Sequence, residues 1–486
     1  MRQEEVRNVT LDEVDGQDRV GSPPGSPAKR DDNAVDGVSS MTLKLYIILS
    51  LVQLHEGIVI TMMFPIFLFQ VREFFPTEEA VAGARGEASE GTYVGILASS
   101  FFLASFVSSW AWGYLGDRLG RRPVLLLGLA LSACSVAMFG IARSFYSAVF
   151  WRFLTGFLSG NLGILKTYLG EVTTRENQAW AYSMLSLVYC AASSFAPSLG
   201  GLLGGRMTSM PYAFLPAVTS AAIAFAITVI AYFWLPETAS FRRRRQAAKA
   251  APVEVASSSS SSTAKFWKHP NVLKTTGLYG ALCFVNICYI ELLPIFFGAT
   301  GVIGGLDFSS TVIGICFSVQ GAGLFLFQLV CYPRLARAYG AVTLMKIGTG
   351  FAIILVGMPV LASFIPAGLA RFAFLIPVMV IVMAPQSMSF TSSILMVNNA
   401  SSDEIRGQVN GLGQTLGSGA RAVGPVFIGV VWTFMADQGQ SYLAFVFLCA
   451  AATVLFLMSL SLDQSLSYPL NSKEGEFDVP LNVIAH

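Results

Sequence analysis

The chain has 486 residues, of which 54% are hydrophobic and 12% charged. Soluble globular proteins carry roughly 25% charged residues, so that class is excluded, and the net charge of +2 marks no nucleic-acid partner. Apolar stretches of about 20 residues, long enough to cross a bilayer core, recur along the chain. They are continuous, unlike the ~10-residue alternation of an outer-membrane barrel, and specify a polytopic helical membrane protein.

The first forty residues are polar and include "GSPPGSPAKRDD". Such a composition buries no core. Residues 1–42 therefore read as a disordered cytoplasmic tail without a cleavable signal peptide. Ser22 and Ser26 are proline-flanked phosphorylation candidates there, or part of an unused tail. Twelve candidate spans follow, at 43–70, 92–114, 123–142, 146–168, 180–204, 212–235, 272–297, 310–331, 341–363, 369–396, 409–434 and 441–461. The sixth and seventh are separated by "PETASFRRRRQAAKAAPVEVASSSSSSTAKFWKHPN", a basic, Ser/Ala-rich cytoplasmic linker at 236–271. The expected organisation is an N-terminal six-helix bundle (43–235), a C-terminal six-helix bundle (272–461) and a cytoplasmic tail (462–486).

The seven cysteines lie in or at the ends of apolar stretches, form no CxxC, and read as small buried hydrophobes. Three histidines are too few for a histidine-rich metal site. No nucleophile–base pair or phosphate loop is present, so neither an enzyme activity nor a cofactor or metal is expected. Lys and Arg in the short loops set orientation. Arg118, Arg121 and Arg122 follow span two; Arg242 to Arg245, Lys249, Lys265 and Lys268 occupy the linker; Arg334 and Arg337 follow span eight. These loops belong in the cytoplasm, and the acidic first loop, "REFFPTEEAVAGARGEASE", on the opposite side. Both termini are then cytoplasmic. The sequons at Asn8 and Asn399 should be unglycosylated. The membrane is that of the cell surface or of a vacuole-like organelle, and a monomer is expected.

The most specific stretch is 113–122, "GYLGDRLGRR". Gly113 and Gly120 allow a tight turn and close helix approach. Asp117 accepts hydrogen bonds from a helix end or pairs with an arginine, and Arg118, Arg121 and Arg122 anchor the loop. A plain stop-transfer cluster would not need this spacing.

At this motif the chain resembles the major facilitator superfamily, over about residues 43–461. "WRFLTGFLSGNLG" in span four places Arg152 ahead of Gly156 and Gly160 as that family does, and "LPET" at 235–238 matches the end of its sixth helix. "SSFAPSLGGLLGG" is similar to the glycine-proline motif of proton-coupled antiporters, here Pro197, Gly200 and Gly201, with Ala196 in place of the usual glycine. "LHEGIVITMMFP", "YIELLPIFF", "YPRLARAYG" and "NNASSDEIRGQVNGLGQTLGSGARAVGP" together look like the zinc-induced-facilitator-like branch, near the drug:proton antiporters. The plant members' cysteine-containing loop motif and histidine-rich linker are missing, and Arg337 stands where the first half has Asp117. The resemblance implies an all-α membrane protein of twelve transmembrane helices in two pseudo-symmetric six-helix bundles. It also implies that the first, fourth, seventh and tenth helices line a central cavity. Lys166, Glu171 and Arg175 resemble the family's charged gate network at the cytoplasmic end, where with Asp117, Arg118 and Arg122 they would latch the inside closed.

Three charges fall inside the spans. Glu56 is about 13 residues into span one, roughly 20 Å at 1.5 Å per residue, near the midplane, where a charge facing lipid is costly. It must face a wet cavity, a partner or a proton. His55 beside it points about 100° away, so the two are not expected to share one cavity. Arg152 on span four is placed to reach Glu56, either as a static ion pair or as a partner that lets Glu56 exchange a proton. Glu291 lies nearer the outer face of span seven, before a Pro294 kink, as a second proton site or a gate residue. His55, Asn286, Gln320, Gln386 and Arg421 are cavity candidates; the amides serve equally as interhelical bonds, and Arg421 as a ligand for backbone carbonyls or an anionic substrate group. The expected function is alternating-access transport of a small organic solute, coupled to protons at Glu56, Arg152 and Glu291. An uncoupled facilitator and a non-transporting membrane receptor or scaffold are the alternatives.

Overall fold

The computed structural model describes residues 32–75, 83–173, 175–238, 269–401 and 406–467. The phosphorylation candidates Ser22 and Ser26, most of the linker, the end of the C-terminal tail and the side chains of Asp117 and Arg175 lie outside the described residues. The chain divides into two units, 1–43 and 44–486. The first contributes the start of the first helix; the second holds all the remaining helices.

Fourteen α-helices make up the described chain. They are α1 (Asp32–Thr61), α2 (Phe67–Phe74), α3 (Gly83–Leu119), α4 (Arg121–Gly140), α5 (Phe145–Leu158), α6 (Asn161–Val172), α7 (Arg175–Leu203) and α8 (Phe214–Trp234) in the first half. The second half holds α9 (Pro270–Gly298), α10 (Ser310–Leu326), α11 (Tyr332–Leu355), α12 (Leu369–Asn399), α13 (Arg406–Asp437) and α14 (Leu443–Leu460). Ten stretches are long and apolar enough to cross a membrane, and 187–203 within α7 is a shorter apolar helix. One of the ten, Ser310–Phe364, runs 55 residues, the length of two crossings, and it turns at Gly340, where φ is 73°. Twelve crossings are thereby accommodated.

Local chemistry sets the helix limits. Ser144 and Ser309 cap α5 and α10 by accepting from the N–H three residues on. The first crossing expected at 43–70 is α1, a turn at Phe64–Ile66 and α2. The fourth, expected as one helix over 146–168, is two: α5 ends at Leu158 and α6 begins at Asn161. Such a break survives at membrane depth because neighbours satisfy the freed backbone. Trp112 Nε1 donates to the Phe157 carbonyl at 2.7 Å, and Ser105 Oγ to that of Gly156 at 3.0 Å.

The halves meet unevenly. Toward the end carrying the acidic first loop one apolar core joins them, from Phe67, Phe101 and Phe139 to Phe297, Trp432 and Phe445. Toward the end carrying the basic loops each half keeps its own core. Leu49, Leu125, Leu165 and Tyr168 form one; Val272, Tyr279, Val397 and Val409 form the other.

Candidate functional site

Glu56 lies on α1, against the break in the fourth crossing, and is 3% exposed. Its Oε2 accepts from Ser159 Oγ at 2.8 Å and its Oε1 from Asn161 Nδ2 at 2.9 Å. The two donors come from the non-helical residue 159 and the first residue of α6, so the carboxylate also meets the positive end of that helix. Gly160 lets the break pack closely, since a Cβ there would collide with Trp112. The expected reach of Arg152 to Glu56 is not made; hydroxyl and amide donors released by the helix break take that place.

His55 differs from expectation twice. It is fully buried and so does not line an open cavity. Its Nδ1 stands 3.6 Å from Glu56 Oε1, because the side chains fold toward each other despite their diverging Cβ directions. Neither ring nitrogen has a hydrogen-bond partner among the described residues.

Arg152, on α5, is 2% exposed. Its Nη1 donates to the Val59 carbonyl at 3.2 Å. The guanidinium lies against the Phe67 and Phe101 rings, 5.3 and 4.6 Å from their centroids, an arrangement in which ring faces replace part of the lost hydration. The acidic charge acting on it is Glu291 of the other half. Glu291, on α9, is fully buried, and neither carboxylate oxygen has a hydrogen-bond partner among the described residues. The two are too far apart for an ion pair, so a cation of the first half and a carboxylate of the second face each other at long range.

Both groups sit behind a seal built of small residues. Along α3 and α13, Gly91 packs on Gly429 and Trp432, and Gly95 on Pro425. Thr92 and Thr433 hydroxyls are 2.8 Å apart, and Val426 N donates to Ser99 Oγ at 3.1 Å. Along α7 and α10 the equivalent seam joins Pro197 to Gly314 and Gly201 to Ser310, with Ser198 N donating to Ser318 Oγ at 3.2 Å. Side chains larger than hydroxymethyl or methyl would hold the backbones apart, as at other close helix crossings in membranes. Pro197, Gly200 and Gly201 therefore lie at a helix seam, with Gly200 against the Met62 carbonyl.

The polar groups of the second half lie closer to the basic-loop end. Asn286 Nδ2 donates to Gln386 Oε1 at 2.8 Å, and Tyr279 OH to Gln414 Oε1 at 3.0 Å. Arg421 Nη2 donates to Cys283 Sγ at 3.2 Å and forms no ion pair among the described residues. Gln320 is buried and its Nε2 is 3.5 Å from Tyr289 OH, an interhelical contact and not a cavity surface.

At the basic-loop end the motif ties the first half to itself. Gly120 takes φ 105°, a conformation that favours glycine. Arg121 Nε and Nη2 donate to Glu171 Oε1 at 3.1 and 3.0 Å. Arg122 Nη2 donates to the Tyr232 carbonyl at 2.7 Å, and Arg118 lies 4.5 Å over the Tyr114 ring. Glu237 of "LPET" caps α4, accepting from Arg121 N at 3.0 Å and Arg122 N at 3.3 Å. Gly113 meets nothing within 4 Å. Lys166 is half-buried on α6. Sequence reasoning missed Ser159, Asn161 and Glu237. The tripeptide "SGN" inside an apolar span was the available signal for the first two.

Two pseudo-equivalent helical halves, sealed at one end around buried charges, define a membrane transporter. The family model "Major Facilitator Superfamily" matches residues 45–425, and the chain belongs to that superfamily. Among its relatives in that superfamily are a zinc-induced facilitator and an efflux pump. It is 26% identical to the protein zinc induced facilitator 1 of Arabidopsis thaliana over 79% of this chain and 83% of that one. It is 29% identical to the efflux pump azaK of Aspergillus niger, over 74% of this chain and 77% of the relative. A crystal structure of a D-xylose-proton symporter shares the fold, with a TM-score of 0.67 at 13% identity, covering 88% of this chain and 100% of the other. The protein is thus a multi-pass transporter of small molecules, not an enzyme.

Proposed function

We propose that this transporter moves a small organic solute by alternating access and couples it to protons at Glu291 and Arg152, with Glu56 as the fixed carboxylate of the first half. The reading is carried by Glu291: fully buried, both oxygens unpartnered among the described residues, facing a cation of the opposite half. A carboxyl group in that setting has two stable forms, protonated, or ionised with its counter-charge close. Which form holds depends on the separation from Arg152, and Arg152 belongs to the other half. Rocking the halves therefore exchanges one form for the other. A relative named as an efflux pump and a fold neighbour named as a proton symporter support coupling without fixing direction.

In this reading the basic-loop end and both termini are cytoplasmic, and the monomer is the working unit. Reconstitution with a solute library, with and without an imposed pH gradient, tests the coupling. Accumulation against a concentration gradient is expected only when the pH gradient is present. Solute flux indifferent to pH would instead make the protein an uncoupled facilitator, and ligand binding without flux a receptor.

A further inference from the structure

The seam between α7 and α10 lies at the floor of a groove. Phe195, Leu199 and Leu202 stand along one stripe of α7, spaced i, i+4 and i+7. With Thr311 and Ile315 of α10 they line a hollow of about 400 Å³. A second hollow, of about 250 Å³, continues it toward the middle of the crossing. It shares Phe195 and Leu199 and is bounded by Leu54 and Ile58 of α1. Phe195, Leu202 and Ile315 are exposed, which sets the groove on the membrane-facing flank. From Ala191 to Leu202 it follows α7 for roughly 16 Å at about 1.5 Å per residue. That is about half of a bilayer core of roughly 30 Å, the depth of one leaflet.

None of the residues lining either hollow is charged. The two hydroxyls among them are spent on the seam. Ser198 Oγ is 2.5 Å from Ser318 Oγ, and Thr311 Oγ1 donates to the Gly201 carbonyl at 3.2 Å. A polar solute finds no free partner there, and a hydrocarbon chain needs none. Charge stands at the mouth, at the acidic-loop end. Arg206 is exposed, and its Nε donates at 2.9 Å to the carbonyl of Leu202, the residue that ends the groove. Its two Nη atoms form no hydrogen bond or ion pair among the described residues.

We propose that the groove is a binding site for one glycerophospholipid of the leaflet at the acidic-loop end, its phosphate on Arg206 and one acyl chain lying along α7 across the seam. Lipid tails are as apolar as the groove, so apolar area alone does not favour this lipid over its neighbours. Two things do. A hollow between helices gives the chain contacts on more than one side, and the free fork of a guanidinium matches a phosphate. The chain touches Phe195 and Leu199 of the first half and Thr311 and Ile315 of the second. It therefore fits only while the seam is closed, and a ligand that binds one state draws the equilibrium toward it. That consequence rests on the transport reading; the site itself does not.

The test uses full-length protein in phosphatidylcholine vesicles. These carry a trace of phosphatidylcholine, or of diacylglycerol with the same chains, bearing a diazirine midway along one acyl chain. After illumination, adducts are located by peptide mass spectrometry. Exposed α14 serves as the standard for ordinary lipid contact and for folding of each variant. On peptides covering 191–202 and 311–315 the phospholipid probe should label several-fold more than the diacylglycerol probe, relative to their ratio on α14. Arg206→Gln should bring that ratio down to the α14 value, and Arg206→Lys should keep most of it. Gly314→Leu, which sets a side chain against the Pro197 carbonyl and parts the seam, should lower labelling of both peptides. A ratio equal to that on α14, or one unmoved by Arg206→Gln, overturns the site. So do adducts that join two copies of the chain through this face. Selective labelling in a protein that moves no solute would sink the transport reading and leave the lipid site standing. Solute flux with unselective labelling would do the reverse.

Discussion

The two halves each bury a carboxylate, and they treat it in opposite ways. Glu56 of the first half is held by Ser159 and Asn161 at the start of α6, with His55 alongside. Glu291 of the second half has no hydrogen-bond donor among the described residues and faces Arg152 of the first only at long range. The donors of Glu56 come from its own half, so they travel with it when the halves rock. The counter-charge of Glu291 does not. A group whose environment survives the motion is built to keep one state; a group whose partner is on the other body is built to change with it.

The largest expected effect lies at Glu291. Glu291→Gln keeps the shape and removes the charge. Gradient-driven transport in proteoliposomes should fall by more than about 10-fold, a loss of over ~1.4 kcal/mol in driving the coupled step, while solute exchange at equal pH persists. Equal loss of both modes would mean that Glu291 is structural and would collapse the contrast with Glu56. Next in size is the seal. Gly95→Leu places a side chain against the Pro425 carbonyl and should part α3 from α13. Carbodiimide modification of Glu291 should then rise several-fold, with Glu56 little changed because its cover is its own half.

Asn161→Ala tests the quieter side. It takes one of two donors from a buried carboxylate, a change of about 1–3 kcal/mol, visible as a lower unfolding temperature in detergent. Little loss there would show that Ser159 and His55 suffice. The smallest effect is expected at Glu237→Ala, which removes the cap of α4 and should cost about 0.5–2 kcal/mol by the same measurement, without altering proton dependence.

Much of this was legible in the residues. Apolar run lengths gave the crossings, and an acidic residue midway through the first of them had to have a local reason. "GYLGDRLGRR" was legible as the loop after span two and "LPET" as the end of span six, but their meeting, with Glu237 on the α4 N-terminus, depends on two crossings ending side by side. Arg152 was legible as a buried cation. Its partners were not, because Val59, Phe67 and Phe101 are apolar residues whose carbonyl and ring faces become ligands only once packed. Gln320 and His55 illustrate the same limit: a polar residue in a span has several neighbours, and periodicity does not say which one it turns toward.

Composition and spacing alone determined that this chain crosses the membrane repeatedly, in two sets divided by a basic linker, because hydration and bilayer thickness act on each segment separately. Which charges meet was decided only by tertiary structure. The break between Leu158 and Asn161 turned two donors onto Glu56, and the glycine seams set Arg152 opposite Glu291. Those are relations between helices distant in sequence, and their energies exist only where the packed backbones bring them together.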